Sequence, residues 1–442
     1  MRTKIKRMLS RIGIILLALI VLALGLRAIF NYTTGKNLQA YLEKAKAEGI
    51  PTSLKDLAPR CDDSENGALL WKAAEVLFIV PETDEKTLIN MTIKDFFDSK
   101  PLPEESREKL AGLIRKNRKS FELILEASSR PCFRYGDWTK RPGTISPPDL
   151  VKMILALRLL GIDAVLQSEA GQVQEGLEQV LQGMRFVQKT MDEPFHIHNL
   201  LALADMKSLL NCFNQIVRGR YVDSEEMASW IKEMDLQPWR KRFFKCVQLE
   251  RLYALDAGLA TIGGNNAAFN LFASRRERFY YWLIRPLMKA QMLWVQKHYM
   301  ELETGIDLPY PQLKELAREK AQESMPWYGK LSGLRLPDFQ ATFLKEASLE
   351  AMMLTTRAGL ACKIFKNLSG RYPENLAALV PEILDKVPID PFTGKPLIYR
   401  LQDDGVIVYS VGSNEKDDGG RGTWQITQLV MEKDDDWAWR EK

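Results

Sequence analysis

The sequence predicts a mainly α-helical protein with an N-terminal transmembrane helix, a multi-helix ectodomain and a small C-terminal α+β module. Three observations carry that prediction: an apolar run near the N-terminus, helical-period apolar stripes through the middle, and two strand-like runs near the end. At 442 residues the chain has length for about two to four domains. Its 46% hydrophobic and 27% charged residues are ordinary for a globular protein, so a buried core is expected.

The charge is unevenly placed. There are 62 Lys and Arg against 57 Asp and Glu, a formal net charge of +5. Arg2, Lys4, Lys6, Arg7 and Arg11 fall within a basic arm, residues 1–11, that contains no acid, so the remainder is balanced. Nucleic acid is therefore not expected as a partner, because phosphate binding needs a basic surface on the folded part.

Residues 12–30 form the expected anchor to the cell membrane. Ile12 to Leu26 are apolar or glycine throughout, and the apolar character resumes after Arg27. Nineteen helical residues would span about 28 Å, close to a hydrocarbon core. Arg27 sits near the far end, where its stem can carry the charge into the headgroups. The alternative is a cleaved signal peptide; the run is long for one and no clear small-x-small site follows. Basic residues ahead of the span place the N-terminus in the cytoplasm. The expected location is the inner membrane, single-pass, with the bulk extracytoplasmic.

Residues 31–148 read as helices and loops. Asn37 to Glu48 continue the helix outward until Gly49-Ile50-Pro51, and Ser53 fits an N-cap before Leu54. A helix from Gly67 to about Ile79 would bury Trp71, Ala74 and Leu77-Phe78, and Pro131 to Pro148 read as an irregular connection. Five cysteines (Cys61, Cys132, Cys212, Cys246, Cys362) lie far apart with no C-x-x-C pair. A zinc site is not expected, and one or two disulfides are open.

A helical domain is expected over 149–335. Leu177, Val180, Leu181, Met184 and Val187 make an i, i+3, i+4 stripe, preceded by an apolar helix from Leu150 to Gln167. Lys152, Arg158 and Asp163 argue against that helix being a second span. A Gly-Gly-Asn-Asn break falls at Gly263 to Asn266. Arg275, Arg276, Arg278, Phe279, Tyr280, Tyr281, Trp282 and Arg285 follow as an aromatic-basic cluster. It reads as a helix whose aromatics pack inward and whose arginines pair with acids; the alternative is contact with anionic headgroups or a polyanion.

The module is expected over 336–422, followed by a tail at 423–442. Leu344, Ala347, Ala351, Leu354, Ala358, Ala361, Phe365 and Leu368 form a narrow seam whose alanines admit something flat, such as a sheet. Gly370 suits a helix C-cap. Leu397–Leu401 and Val406–Val411, separated by Asp403-Asp404-Gly405, read as a hairpin.

Candidate chemistry is sparse. Asn414, Asp417 and Asp418 offer hard oxygen ligands in a glycine-containing loop, so calcium is the expected cofactor if any; the alternative is a solvated turn. His196 and His198 would share a metal only on an extended segment, and the sequence favours a helix starting there, with one ring buried and one exposed. No G-x-S-x-G, H-E-x-x-H or phosphate-loop motif occurs, so no catalytic residue is assigned.

The series Tyr372-Pro373, Leu376, Leu379, Val387-Pro388-x-Asp390-Pro391-Phe392-x-Gly394-x-Pro396-Leu397-x-Tyr399 and Tyr409-Ser410-x-Gly412-x-Asn414, ending in Asp417-Asp418-Gly419-Gly420, resembles the C-terminal domain of major pseudopilins of type II secretion. The resemblance covers about residues 340–422 and implies a long helix on a small antiparallel sheet with a calcium-binding acidic loop. The N-terminus lacks the prepilin-peptidase site and the glutamate of that family. The whole layout resembles a group of bacterial single-pass membrane proteins of unassigned activity. The leading expectation is a protein-binding or scaffold role in the cell envelope. The alternatives are an accessory component of a type II secretion or pilus-like system, and an extracytoplasmic hydrolase with a nonstandard site.

Overall fold

The computed structural model describes residues 2–97, 100–140, 148–234, 237–263, 274–331, 339–402, 405–421 and 436–441. Among them are thirteen α-helices and one three-stranded sheet. The expected mainly helical fold with a small C-terminal antiparallel sheet is what forms. The break at Gly263 to Asn266 beyond its first residue, the Asp403-Asp404 turn, residues 141–147 of the Pro131–Pro148 connection and most of the 423–442 stretch lie outside the described residues.

The chain divides into two compact units. The first comprises Met1–Leu57, Val247–Thr304 and Lys320–Pro337; the second comprises Ala58–Cys246, Gly305–Glu319 and Asp338–Lys442.

In the first unit, α1 (Arg2–Ala47) is one continuous helix. Residues Ile12–Leu26 are exposed throughout, and this is the one helix among the described residues long and apolar enough to cross a membrane. From Arg27 onward the helix gains a packed side: Arg27 and Asn31 are half-buried, and Thr34, Leu38 and Ala45 are buried, at helical spacing. Gly49 then takes a left-handed φ of 75° that ends the element, as Gly readily does. Ser53 and Asp56 make a capping box on the next turn.

The outer half of α1 packs on α11 (Arg275–Glu303), which is preceded by α10 (Gln237–Gly263). Arg251 of α10 is fully buried and ties the unit together. Its guanidinium donates to Glu303 Oε1 at 2.6 Å, Gln296 Oε1 at 3.0 Å and the Pro51 carbonyl at 3.1 Å. A buried charge survives only when paired this fully.

The second unit holds the main core. Helix α2 (Gly67–Leu77) pairs with α5 (Arg118–Ser128), burying Trp71 and Ala74, while Leu77 stays 48% exposed. A disulfide joins Cys61 to Cys132, and the other three cysteines are buried and outside any disulfide. Between α2 and α5 lie α3 (Thr83–Phe97) and α4 (Glu104–Lys116).

Helices α6 (Leu150–Glu169), α7 (Val173–Thr190) and α8 (His196–Val217) pack on one another. Every residue of the predicted α7 stripe is buried. The close approach depends on glycine: a Cβ on Gly176 would stand 2.5 Å from the Ala164 carbonyl oxygen. Asp163, 4% exposed, answers two arginine nitrogens of Arg118 and the amides of Gln167 and Gln179.

Helix α9 (Ser224–Glu233) leads to α10, and α12 (Tyr310–Gln322) precedes α13 (Gln340–Ser369). Helix α13 packs against α8, α9 and two strands of the sheet, which is the flat partner its alanines predict. Ala347, Ala351, Ala358 and Ala361 are buried, while Leu368 at the end of the seam is 73% exposed. Gly370 caps the helix with φ 75°.

The sheet runs β1 (Ile398–Gln402), β2 (Gly405–Ser410), β3 (Trp437–Glu441), antiparallel throughout. The third strand comes from the stretch expected to be a tail. It is fixed by its own side chains: Trp439 is buried against Gly359, and Glu441 pairs with the buried Lys363. Strand alternation splits the faces. Val406, Val408 and Trp439 join the main core, while Ile407, Tyr409 and Ala438 form a small cluster on the other side.

Candidate functional site

The acidic loop lies over that second face of the sheet. Gly412, Gly419 and Gly420 have φ of 68°, 78° and 72°, the left-handed values that let the loop wrap. A Cβ on Gly420 would stand 2.4 Å from Ile407 Cδ1, so the backbone rests on the sheet. Buried Asp390 anchors the start of the loop, accepting from Ser410 Oγ at 2.9 Å and the Val411 amide at 3.0 Å.

The three expected ligands come near one another but are differently engaged. Asn414 Nδ2 donates to Asp418 Oδ2 at 2.8 Å. Asp417 accepts from Tyr409 at 2.9 Å, the Gly419 amide at 2.9 Å and Arg400 at 2.8 Å. The Gly419 amide and then the Tyr409 hydroxyl lower its pKa, with the Arg400 charge adding to them. Asp417 is therefore held by a cation of the protein itself.

Asp436, just before β3, is the member that sequence reasoning missed. It is 1% exposed, its Oδ2 accepts from the Gly420 amide at 2.6 Å, and its Oδ1 has no partner. Burial raises its pKa, and the nearby Asp418 and Asp417 charges add to the rise. An orphaned buried oxygen beside a second carboxylate is donor chemistry that suits a hard cation. Among the described residues, no group of three or more His, Cys, Asp or Glu side chains is arranged to hold a metal. A cation held here would take the unpartnered Asp436 Oδ1, and Asp418 Oδ2 and Asp417 would have to give up Asn414 and Arg400 to join it.

A second polar site lies where α10 meets α13 within the second unit. Arg240 donates from Nε to Glu346 Oε1 at 2.9 Å and from a terminal nitrogen to Glu350 Oε2 at 3.1 Å. One turn apart on α13, the two carboxylates share one guanidinium, and Glu346 Oε2 is buried without a partner. Burial pushes the Glu350 carboxyl up to about 7, against the pull of Arg240. Glu350 also borders a cleft of about 160 Å³ lined by Arg357, Leu384, Lys386 and Pro388. Burial thus favours the neutral form of a carboxyl that stands at the edge of a cleft.

The histidine pair is separated by its helix. His196 opens α8, with Nε2 at 3.0 Å from Thr342 Oγ1 and its ring 5.2 Å from that of Phe339. It is half-buried where an exposed ring was expected. His198 is 2% exposed, neither ring nitrogen has a partner, and burial lowers its pKa to about 4. Residues two apart on a helix point about 200° from each other, so the two rings do not share an ion. Beside them, fully buried Glu193 accepts from the Gly136 amide at 2.7 Å and Trp138 Nε1 at 3.0 Å, bracing the helix entry.

The chain matches no family model, no curated protein and no solved structure.

Proposed function

We propose that the chain is a single-pass protein of the inner membrane, its N-terminal arm in the cytoplasm and its folded bulk outside, where it binds or scaffolds other envelope proteins. The observation that carries this reading is α1 itself. Ile12–Leu26 are exposed and apolar over the whole circumference, and the same unbroken helix acquires a packed side at Arg27. A helix apolar all round with nothing packed on it belongs in lipid. The basic arm supports the N-in orientation. The Cys61–Cys132 disulfide supports an oxidising compartment for the second unit.

The binding role rests on a charge-balanced ectodomain without an assigned catalytic set. Crosslinking in intact cells, followed by recovery of the chain from solubilised membranes, tests it. Reproducible envelope partners are expected; recovery of the chain alone under effective crosslinking overturns it. Recovery of secretion-platform subunits would favour the accessory-component reading, which rests on the motif series between Tyr372 and Gly420. The hydrolase reading has one observation in its favour, the Glu350 carboxyl at the cleft edge. For the loop we propose a calcium site at Asn414, Asp418 and Asp436, with Asp417 exchanging Arg400 for the ion.

A further inference from the structure

The start of α11 turns its aromatic-basic cluster outward, where inward packing was expected: Phe279 and Trp282 are 62% and 42% exposed, with Arg27 stacked 3.6 Å over the Trp282 ring. A more particular surface lies in the second unit, in the cleft bordered by Glu350. One wall is α13, which contributes Glu350, Leu354 and Arg357 at helical spacing. The other is the segment 384–389, which contributes Leu384, Asp385, Lys386, Pro388 and Ile389.

Both walls are held in place by the fold. Leu384 is buried, and its amide donates to the Leu379 carbonyl at 3.0 Å. Further along, the Leu397 amide donates to the Pro388 carbonyl at 3.0 Å and the Asp390 amide to the Lys395 carbonyl at 2.7 Å. Arg240 braces Glu350 through Oε2 at 3.1 Å, and among the described residues Glu350 Oε1 has no partner. Charge and apolar surface alternate along the walls. On α13, Leu354 stands one turn from Glu350 and one turn from Arg357. Across the cleft, exposed Asp385 and Lys386 repeat the two signs beside Leu384 and Pro388. At about 160 Å³ the cleft is close to an apolar cavity of about 150 Å³ that takes benzene, so it encloses about six non-hydrogen atoms.

We infer that this cleft binds a free α-amino acid with a medium-sized aliphatic side chain: its ammonium meets Glu350 Oε1, its carboxylate meets Lys386 beside Arg357, and its side chain lies on Leu354, Leu384, Pro388 and Ile389. A simple anion would meet the like charges of Glu350 and Asp385, and a simple cation those of Arg357 and Lys386. An apolar ligand would strip water from all four without replacing it. A zwitterion sets each of its charges against an opposite one. Burial, with the Glu346 charge, raises the Glu350 carboxyl against the pull of Arg240 and Lys386, so an ammonium beside Oε1 finds an acid short of positive charge. Ile389, 42% exposed, is apolar surface that a ligand side chain covers. The site lies apart from α1 and does not rest on the membrane reading.

The test is isothermal titration of the full-length chain in detergent with L-leucine, L-valine and L-methionine, each taken to millimolar concentration. Saturable binding of at least one is expected, and no saturable binding of any overturns the proposal. The N-acetyl form of the best ligand lacks the ammonium, and its amide lacks the carboxylate. Each should bind about tenfold more weakly or worse, the loss expected for one charged hydrogen bond. An analogue as tight as its parent overturns the zwitterion and leaves a plain carboxylate or amine as the ligand. Lys386→Met removes an exposed cation, so the melting temperature should hold while affinity falls about tenfold. Glu350→Gln keeps the side-chain shape and an acceptor for Arg240, and should weaken binding as much. Unchanged affinity in either variant, with the melting temperature held, overturns the placement of the ligand in this cleft.

Discussion

Substituting Gly359→Ala asks whether β3 lies where the structure puts it. A Cβ at residue 359 would stand 2.0 Å from Trp439 Cδ2 and 2.4 Å from its Cε2 and Cε3. Ordinary carbon contact needs about 3.5 Å, so the ring or the helix must retreat by about 1.5 Å. Neither moves freely: Trp439 is 1% exposed and its strand is hydrogen-bonded to β2 across five residue pairs. Overpacking of this kind costs about 1–3 kcal/mol, while an exposed helical Gly→Ala gains about 1 kcal/mol. At the upper end the clash wins, for a net loss of about 2 kcal/mol. Denaturant unfolding of the full chain in detergent, with Trp439→Val as the second arm of a double-mutant cycle, measures it. Gly359→Ala should be stabilising by about 1 kcal/mol once the indole is gone, a coupling of about 3 kcal/mol. A stabilising Gly359→Ala in the native background would refute the packing of β3 on α13.

Three further outcomes follow from the same structure. Replacing Cys61 and Cys132 by Ser opens a loop spanning 71 residues of sequence separation and should cost roughly 4 kcal/mol by chain entropy, read as a fall in unfolding free energy that reductant reproduces in the native chain. His198 has its folded pKa lowered to about 4 from 6.5, so the native state binds fewer protons than the unfolded one between those values. Its contribution is present above pH 6.5 and is lost as pH falls towards 4; His198→Phe should flatten that part of the melting-temperature profile, and an unchanged slope rejects the assignment. Calcium should raise the melting temperature of the full chain and chelator reverse it, an effect Asp436→Asn abolishes; identical midpoints with and without chelator remove the calcium site.

How far the sequence foretold the protein depends on the kind of signal. The long apolar N-terminal helix, the α7 stripe and the alanine seam of α13 were legible because the apolar pattern of a sequence reports directly on length and on what a helix buries. The seam even announced a flat partner, although Gly359, the residue of closest approach, drew no notice among the alanines. Strand β3 was missed because its five residues directly follow a short acidic run, Glu432 to Asp436, and its Trp-Ala-Trp core is too short to stand out from a tail. Asp436 was lost with it, since only strand pairing brings it back to the Gly420 amide. The outward face of α11 was misread for a different reason. Aromatic residues on a helix ordinarily mark its buried side, and composition alone does not tell a buried face from an exposed one. The shared arginine at Glu346 and Glu350 joins residues more than 100 positions apart, beyond the reach of any local pattern.

The central claim is the topology, and thiol accessibility in living cells tests it most directly. With Cys212, Cys246 and Cys362 buried and Cys61 and Cys132 joined, a membrane-impermeant maleimide should label Lys55→Cys in intact spheroplasts and Thr3→Cys only after lysis, both in a membrane-bound chain of full length. Labelling of Thr3→Cys from outside, protection of Lys55→Cys, or a mature chain that has lost residue 3 would contradict an anchored, outward-facing protein.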